Sequence, residues 1–476
     1  MGHHPETVFI TFLLSFEKVK QKSHAAAELL HFCAFLHPDS IPETLITSGL
    51  KHFESDLQEV IGDPLSLNKI IGVLGSYSLI RRKNQTLWVH RLVQAVIKDD
   101  ISVIKKQQLA KQAVQVVNTV FPHVNYGTWL KAQPFLPHAE NCVLLIQEYG
   151  FKSAEAASLL WSYGLYFYYR GQYKQSKSLL QKALYISENN FGPGFPQTGV
   201  ILRDIGQNNW REGKYKEAKS FYEQSLQRLE QMADSQPLEL AFTQHTLARL
   251  LGEQGIYDKS EQLFQKALTV LKQNLGLDHT MTGRTMHEFA YMLRQKGVFT
   301  EAEQLAQQAW NIFKQTQGID HPSTASILRT LVRIQIEQGT TEEAEKHFKH
   351  ILAIFVQELG PQHLETGTTL YELASLYQKQ DKYGDAEPLY QQALHIFNQI
   401  GPQHPQSAST LYELALLYQK QQKYEQAQML YQQTLEIQKI HLGFEHINTQ
   451  KTQKAYDSLL QIIQCNKVAK ISQKGT

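Results

Sequence analysis

At 476 residues the chain exceeds one compact core and calls for several domains or a repeat. Lys and Arg (47) nearly balance Asp and Glu (45), and a formal charge of +2 excludes bulk attraction to nucleic acid or an anionic membrane. The cysteines Cys33, Cys142 and Cys465 are far apart and odd in number, which excludes a disulfide framework or a CxxC metal pair and favours a reducing, cytoplasmic setting.

The first apolar run, "VFITFLLSF", has no basic segment before it and is far shorter than the roughly 20 residues that cross a bilayer, so neither a signal peptide nor an anchor is expected. Next come "AAAELLHFCAFLHPDSIPETLI" and "SLNKIIGVLGSYSLIRRKNQTLWVHRLVQAVIKDDI". Helical period dominates both, with Ser23 and Ser66 as N-caps, and "RRKNQT" between "YSLI" and "LWVH" predicts a short β-hairpin. Three helices and a hairpin describe a small winged-helix domain over 1–104. Residues 105–156 predict a helical joint, broken near Pro122 and again around Pro134 and Pro137.

From about residue 157 the text repeats. Gly171, Gly213, Gly255, Gly297 and Gly339 recur every 42 residues, followed in the same phase by Asp381 and, one residue early, Gln422. A second marker, Gly276, Gly318, Gly360, Gly401 and Gly443, keeps the same interval and shows the same single deletion. Each unit holds two stretches with apolar residues at three- and four-residue steps, hence two amphipathic helices. Small residues stand where the two must cross closely: Gly164, Gly206, Ala248, Ala290, Ala374 and Ala415 in the first helix, Ala183, Ala267, Ala309 and Ala393 in the second. The unit starting at Ala325 departs from this, with Val332 and Ile351 at small-residue positions and Thr340 and Thr341 in its turn, and looser packing is expected there. After 449 the segment "QKTQKAYDSLLQIIQ" (Gln450 to Gln464) predicts a polar-faced capping helix, with a tail to 476.

This pattern resembles tetratricopeptide repeats in the 42-residue form of kinesin light chains, over 157–449. The resemblance implies an all-α fold: a right-handed tetratricopeptide superhelix of about seven helix pairs plus a capping helix, preceded by the winged-helix domain. "LLHFCAFLHPDSIPETLI" and "LWVHRLVQ" in turn resemble the winged helix that follows the nucleotide domain of NB-ARC (STAND) signalling NTPases. In that family the histidine matching His90 reaches the phosphates of the bound nucleotide. No GxxxxGK[ST] occurs in this chain, so His90 has a cofactor role only if a nucleotide domain is supplied.

No HExxH, GxSxG, CxxC or Gly-rich phosphate loop is present, and no catalytic residue, metal or cofactor is expected. His279, His321, His363, His404 and His446 occupy one equivalent loop each, too far apart to share an ion, and are expected to bond a neighbouring helix end. The early aromatics Trp161, Tyr163, Tyr166, Phe167, Tyr168 and Tyr169 are expected to pack in the core or against the joint, with a terminal binding pocket as the alternative. What remains for function is the inner, concave face lined by first helices: Arg203, Gln207 and Arg211; His245 and Arg249; Arg284, His287, Tyr291 and Arg294; Arg329 and Arg333; Tyr371 and Gln378; Tyr412 and Gln419. One reading is a solvated face balanced by Asp204, Glu288, Glu372 and Glu413. The sharper one is a groove for a protein or peptide segment bearing carboxylates, since Arg takes an acid bidentately and Tyr supplies rigid contact area. Resemblance to kinesin light chains implies acidic peptides containing a tryptophan.

The expected function is therefore a non-enzymatic interaction scaffold, the sensor or regulatory part of a signalling NTPase. Its alternative is the autoinhibitory half of a nucleotide switch that needs a separate, upstream P-loop ATPase domain. Nucleic-acid binding through Lys69, Arg81, Arg82 and Lys83 is a minor alternative, because the candidate reading helix is mostly apolar. No membrane partner is expected.

Overall fold

The structure, a computed structural model, describes residues 4–124, 128–192, 195–400, 405–441, 443–444 and 447–474. Two compact units, Met1–Leu250 and Leu251–Thr476, divide the chain.

The first unit opens with α1 (His4–Lys22), α2 (His24–Ala34), β1 (Ile41–Pro42), α3 (Glu43–Ser48), α4 (Ser55–Gly62), α5 (Pro64–Ser76), β2 (Arg81–Lys83), β3 (Thr86–Trp88) and α6 (Arg91–Asp99). The strands pair antiparallel in the order β1-β3-β2, with Leu87 opposite both Ile41 and Arg82. The hairpin turns through Asn84 and Gln85, both at positive φ (50° and 56°), the twist that a two-residue loop between right-twisted strands requires. Strand β1 is too short to leave a period in the sequence. Ser23 caps α2 as expected, accepting from the Ala26 amide. The cap of α5 is Asp63 instead of Ser66: its carboxylate accepts from the amides of Leu65 and Ser66, and Pro64 holds the first helical position. Phe16, Leu29, Phe32, Leu45, Leu87 and Val93 are wholly buried at the centre. Gln94 Nε2 donates to the carbonyls of Cys33 and Leu36, both at 3.0 Å, and so satisfies the end of α2.

The joint comprises α7 (Val103–Val120), a 3-10 turn (Trp129–Phe135) and α8 (Leu136–Tyr149). Helix α7 packs on α3, α8 and the first repeat helix, α9 (Ala154–Tyr169). Rings meet along that seam, His123 against Trp161 (4.9 Å) and Phe121 edge-on to Tyr163 (6.0 Å), which uses these two of the early aromatics as packing, while Tyr169 is exposed.

Helix pairs follow: α9 with α10 (Tyr173–Phe191), α11 (Pro196–Arg211) with α12 (Tyr215–Glu230), then α13 (Pro237–Glu253), in which the division between the units falls. The second unit continues with α14 (Tyr257–Leu275), the pairs α15 (Thr280–Lys296) with α16 (Phe299–Gln317), α17 (Pro322–Glu337) with α18 (Ala344–Glu358), α19 (Leu364–Lys379) with α20 (Tyr383–Ile400), α21 (Pro405–Lys420) with α22 (Tyr424–His441), and α23 (Ile447–Lys474). Within a pair the small residues do what their spacing implies. A Cβ on Gly206 would lie 2.7 Å from the wholly buried Tyr222 ring, and Ala290, Ala374 and Ala415 are wholly buried at the equivalent place.

The turn inside each pair needs a positive φ. Gly213 has 75°, and Asp381 and Gln422 take 58° and 62° despite their Cβ atoms. In the unit with Thr340 and Thr341, α18 starts only at Ala344, although Val332 and Ile351 are both buried. The late start of α18 is the local difference, and neither large residue is displaced from the core.

His279, His321 and His363 cap α15, α17 and α19: each Nδ1 accepts the backbone N–H two residues on, at 3.1, 3.1 and 3.2 Å. Gly401, His404 and His446 lie outside the described residues. Helix α23 runs well past the Gln450 to Gln464 segment expected for the cap and packs on α22, burying Thr452 and Leu459.

Candidate peptide-binding face

Four of the seven arginines read from the first helices, Arg203, Arg294, Arg329 and Arg333, are held by acids of the next first helix. In the second unit Arg294 Nη1 lies 2.6 Å from Glu337, Arg329 Nη2 lies 2.6 Å from Glu365, and Arg333 Nη1 lies 2.8 Å from Glu372. Glu372 also meets Arg329 Nε at 3.7 Å and is only 7% exposed, so two guanidinium groups share one buried carboxylate. The ladder continues as a neutral-to-acid bond, Gln378 Nε2 donating to Glu413 Oε2 at 3.1 Å. In the first unit Arg203 Nη1 meets Glu239 at 2.6 Å and its Nε meets Asp204 at 3.3 Å, while Trp161 Nε1 donates to Asp204 at 2.8 Å. Burial raises the Asp204 carboxyl, against the opposing pull of Arg203 and the Trp161 hydrogen bond. Arg203 stays charged: the two carboxylates beside it outweigh the desolvation that works the other way.

Apart from the neighbours Arg203 and Asp204, these partners are 35 to 43 residues apart in the chain, about one repeat. Helices one repeat apart lie side by side, so a shift of one helical turn up or down still places two long side chains in reach. Of the four acids read as balancing the face, Asp204 and Glu372 pair with its arginines, while Glu413 accepts from the neutral Gln378 amide. Glu239, Glu337 and Glu365 were legible only by aligning the repeats and asking what stands one period away.

The other expected residues divide into two kinds. His287 shares a 2.8 Å hydrogen bond between Nε2 and Thr330 Oγ1, and Arg294 lies over the Tyr291 ring at 5.3 Å. Arg249 lies over the Trp210 ring at 4.2 Å, Arg211 Nε donates to Tyr168 Oη at 3.3 Å, and His245 is buried. Gln207 is half-buried and Arg284 exposed. Tyr371 and Tyr412 are half-buried, each braced from behind by a wholly buried tyrosine of the paired helix, Tyr390 at 5.7 Å and Tyr431 at 5.9 Å. Gln419 is the acceptor that satisfies the buried Tyr431 hydroxyl, at 3.0 Å. Desolvation raises the phenol pKa of both Tyr371 and Tyr412. Both rings border a cavity of about 140 Å³ to which Glu413, Gln438 and Lys451 also contribute.

Far from this face, His90 caps α6 with Nδ1 accepting the Leu92 amide at 3.2 Å, so its Nε2 carries the proton when the ring is neutral. Arg82, one of the four candidate phosphate contacts, is clamped by Glu43 through two 2.7 Å bonds and by Asn68 at 2.6 Å. Cys33 and Cys142 are buried, and burial pushes the Cys33 thiol up to about 12.

The tetratricopeptide-repeat model matches residues 155–231, 239–315, 285–355, 323–399 and 365–440, which together span more than half of the chain. The chain belongs to the tetratricopeptide-repeat family. A second model, a domain of unknown function (DUF7779), matches residues 14–106. Among solved structures the fold resembles a signal transduction ATPase with numerous domains (STAND) with a tetratricopeptide repeat sensor, from Pyrococcus horikoshii: 15% identical, covering 96% of this chain and 66% of that one, TM-score 0.56. It also resembles the apo quorum sensor NprR from B. thuringiensis, 11% identical over 78% of this chain and 94% of that one, TM-score 0.54. A nucleotide-binding leucine-rich repeat (NLR)-like protein of Hyaloscypha variabilis is 28% identical over 195 residues, 40% of this chain. The chain spans only 18% of that relative's length.

Tetratricopeptide repeats are a non-catalytic scaffold. Among the described residues no group of three or more His, Cys, Asp or Glu side chains is placed to hold a metal ion, and no helix is long and apolar enough to cross a membrane.

Proposed function

We propose that these tetratricopeptide repeats bind a protein or peptide segment along the first-helix face, as the sensor part of a signalling NTPase. The observation that carries the binding half is the preorganised row in the second unit. Tyr371 and Tyr412 stand at the same place in successive repeats with their rings locked by Tyr390 and Tyr431, so a segment laid across them orders no further aromatic side chain. Arg284 supplies exposed charge, and Arg329, Arg333, Arg294, His287 and Tyr291 offer paired or bonded groups. In the first unit Arg203, Gln207, His245 and Arg249 belong to the same type of face.

An acidic ligand, the class that the kinesin-light-chain resemblance suggests, must exchange with resident carboxylates such as Glu337 and Glu365. Its charge then adds specificity more than affinity. The test is selection of peptides from a displayed random library on the full chain. Enriched peptides should lose binding to Arg284→Glu combined with Tyr412→Ala at unchanged melting temperature; retained binding refutes the face. Arg294→Glu is unsuitable here, since it would set a carboxylate against Glu337.

The sensor half rests on the STAND likeness, which spans nearly the whole chain, and on the NLR-like relative. It is further supported by the order helix, strand, three helices and hairpin in α2 to β3, a winged-helix order with one additional short helix, and by the exposed His90 with Nε2 turned away from its cap. In the alternative reading, as the inhibitory half of a nucleotide switch, His90 would meet the phosphates of a nucleotide held by a separate ATPase domain. Micromolar ATP binding by this chain alone would contradict both. The nucleic-acid reading is weakened by the Glu43 clamp on Arg82, and binding that does not fall with salt would remove it.

A further inference from the structure

The cavity of about 140 Å³ at the end of the second unit is lined by Tyr371 of α19, Ser409, Tyr412 and Glu413 of α21, Gln438 of α22, and Asn448, Lys451 and Thr452 of α23. A water occupies roughly 30 Å³ and whole small molecules need roughly 300 Å³ or more, so this volume suits one side-chain head group and not an entire ligand.

Its polar groups are short of donors. Among the described residues Glu413 receives one hydrogen bond, from Gln378, although a carboxylate has about four acceptor positions. Burial raises its pKa, with Lys451, Gln378 and Lys379 opposing. Gln438 is 7% exposed and its Oε1 is buried with no hydrogen-bond partner, an arrangement that carries a free-energy cost until a donor arrives. Two tyrosines border the same space, and a cation already lies over one of them: exposed Lys451 Nζ stands 5.1 Å from the Tyr412 ring centre.

From this we infer that the cavity is a cation-accepting subsite, which takes the guanidinium or ammonium head group of a basic side chain in the bound segment. The head group's N–H donors satisfy Glu413 and Gln438 Oε1, its charge stacks on Tyr412 and Tyr371, and Lys451 is the resident cation that it displaces. A guanidinium fits best, because five donors in a planar fork can serve the carboxylate and the amide oxygen together. The inference rests on the first-helix face as the binding face. It adds that the segment is basic at the end lying over α21, whatever its charge elsewhere.

The test uses the full chain labelled with 3-fluorotyrosine, with the Tyr371 and Tyr412 resonances assigned by their Phe variants. N-acetyl-arginine amide should shift both resonances and saturate in the millimolar range, while the isosteric citrulline derivative and N-acetyl-aspartate amide should not. Glu413→Gln, which keeps the side-chain shape, should abolish saturation. Lys451→Ala, at an exposed position, should tighten binding several-fold by removing the competitor. An equal response to citrulline, a response to aspartate, binding indifferent to Glu413→Gln, no tightening by Lys451→Ala, or no arginine response would each overturn the inference. Because the probe is a single amino acid, these outcomes are independent of peptide capture. Peptides that bind with this cavity empty would leave the face standing and the subsite refuted.

Discussion

The shared carboxylate of Glu372 makes the sharpest demand on the ion-pair ladder. Glu372→Gln keeps the volume and removes the charge that lies 2.8 Å from Arg333 and 3.7 Å from Arg329. At 2.8 Å the bare attraction is about 6 kcal/mol for an effective dielectric constant of about 20. Most of it is offset by desolvation. Exposed pairs contribute about 0–1 kcal/mol, whereas breaking a fully buried pair costs about 3–5 kcal/mol. With Glu372 at 7%, Arg329 at 13% and Arg333 at 36% exposure, the site falls between these limits. A loss of about 2 kcal/mol is expected, set between the exposed and buried cases.

Arg329 keeps Glu365 at 2.6 Å, so most of that loss belongs to Arg333. A double-mutant cycle with Arg333→Met should therefore return a coupling of about 1 kcal/mol or more. Because helical repeats unfold locally, the assay pairs urea unfolding with hydrogen exchange resolved by helix. Protection should fall in α17 and α19 and hold in α15 and α16. A Glu372→Gln loss below about 0.5 kcal/mol, the ordinary range of surface substitutions, would mean that the ladder is solvated decoration and not a joint between repeats.

Asp381→Gly and Gln422→Gly, each at a positive φ, should stabilise the chain by about 0.5–1 kcal/mol, the relief of the left-handed strain less the added flexibility of glycine; a lower melting temperature would refute the turn geometry. Gly206→Ala places a Cβ 2.7 Å from the Tyr222 ring and should cost about 1–3 kcal/mol by overpacking, read as a lowered denaturation midpoint in the first unit; an unchanged midpoint would deny the close crossing. Glu28 is held down to about 2, from an ordinary value of 4.5, first by its hydrogen bond from His31 and then by Lys105. Its contribution is complete above about pH 4.5 and disappears as pH falls towards 2, so acid unfolding of the wild type should be steeper across that window than that of Glu28→Gln; superimposable profiles would refute it.

The repeats were readable because each shape-making residue is local to its unit. Period, turn glycines and small crossing residues recur every 42 positions, and Tyr222, Tyr390 and Tyr431 fall where the apolar stripe requires them. The candidate face was readable as a set of positions and not as a charge. Counting arginines on first helices described a basic groove, but Glu337, Glu365 and Glu372 reach across from the next repeat and neutralise Arg294, Arg329 and Arg333. The cap at Asp63 and the two-residue strand β1 were missed for a smaller reason: a proline at the first helical position and a strand too short for alternation leave almost no periodic trace.

By itself the sequence determined the helix pairs, their turns and the histidine caps, since those depend on side chains within a few residues or within one 42-residue unit. Tertiary structure alone decided which charges on the first helices remain available and which close on a neighbour. It also decided that Tyr371, Glu413, Gln438 and Lys451, drawn from four different helices, border one cavity. The physical reason is range. A backbone turn or a helix cap is settled by local sterics and hydrogen bonding, whereas the state of a long charged side chain depends on partners that only the stacking of repeats brings within reach.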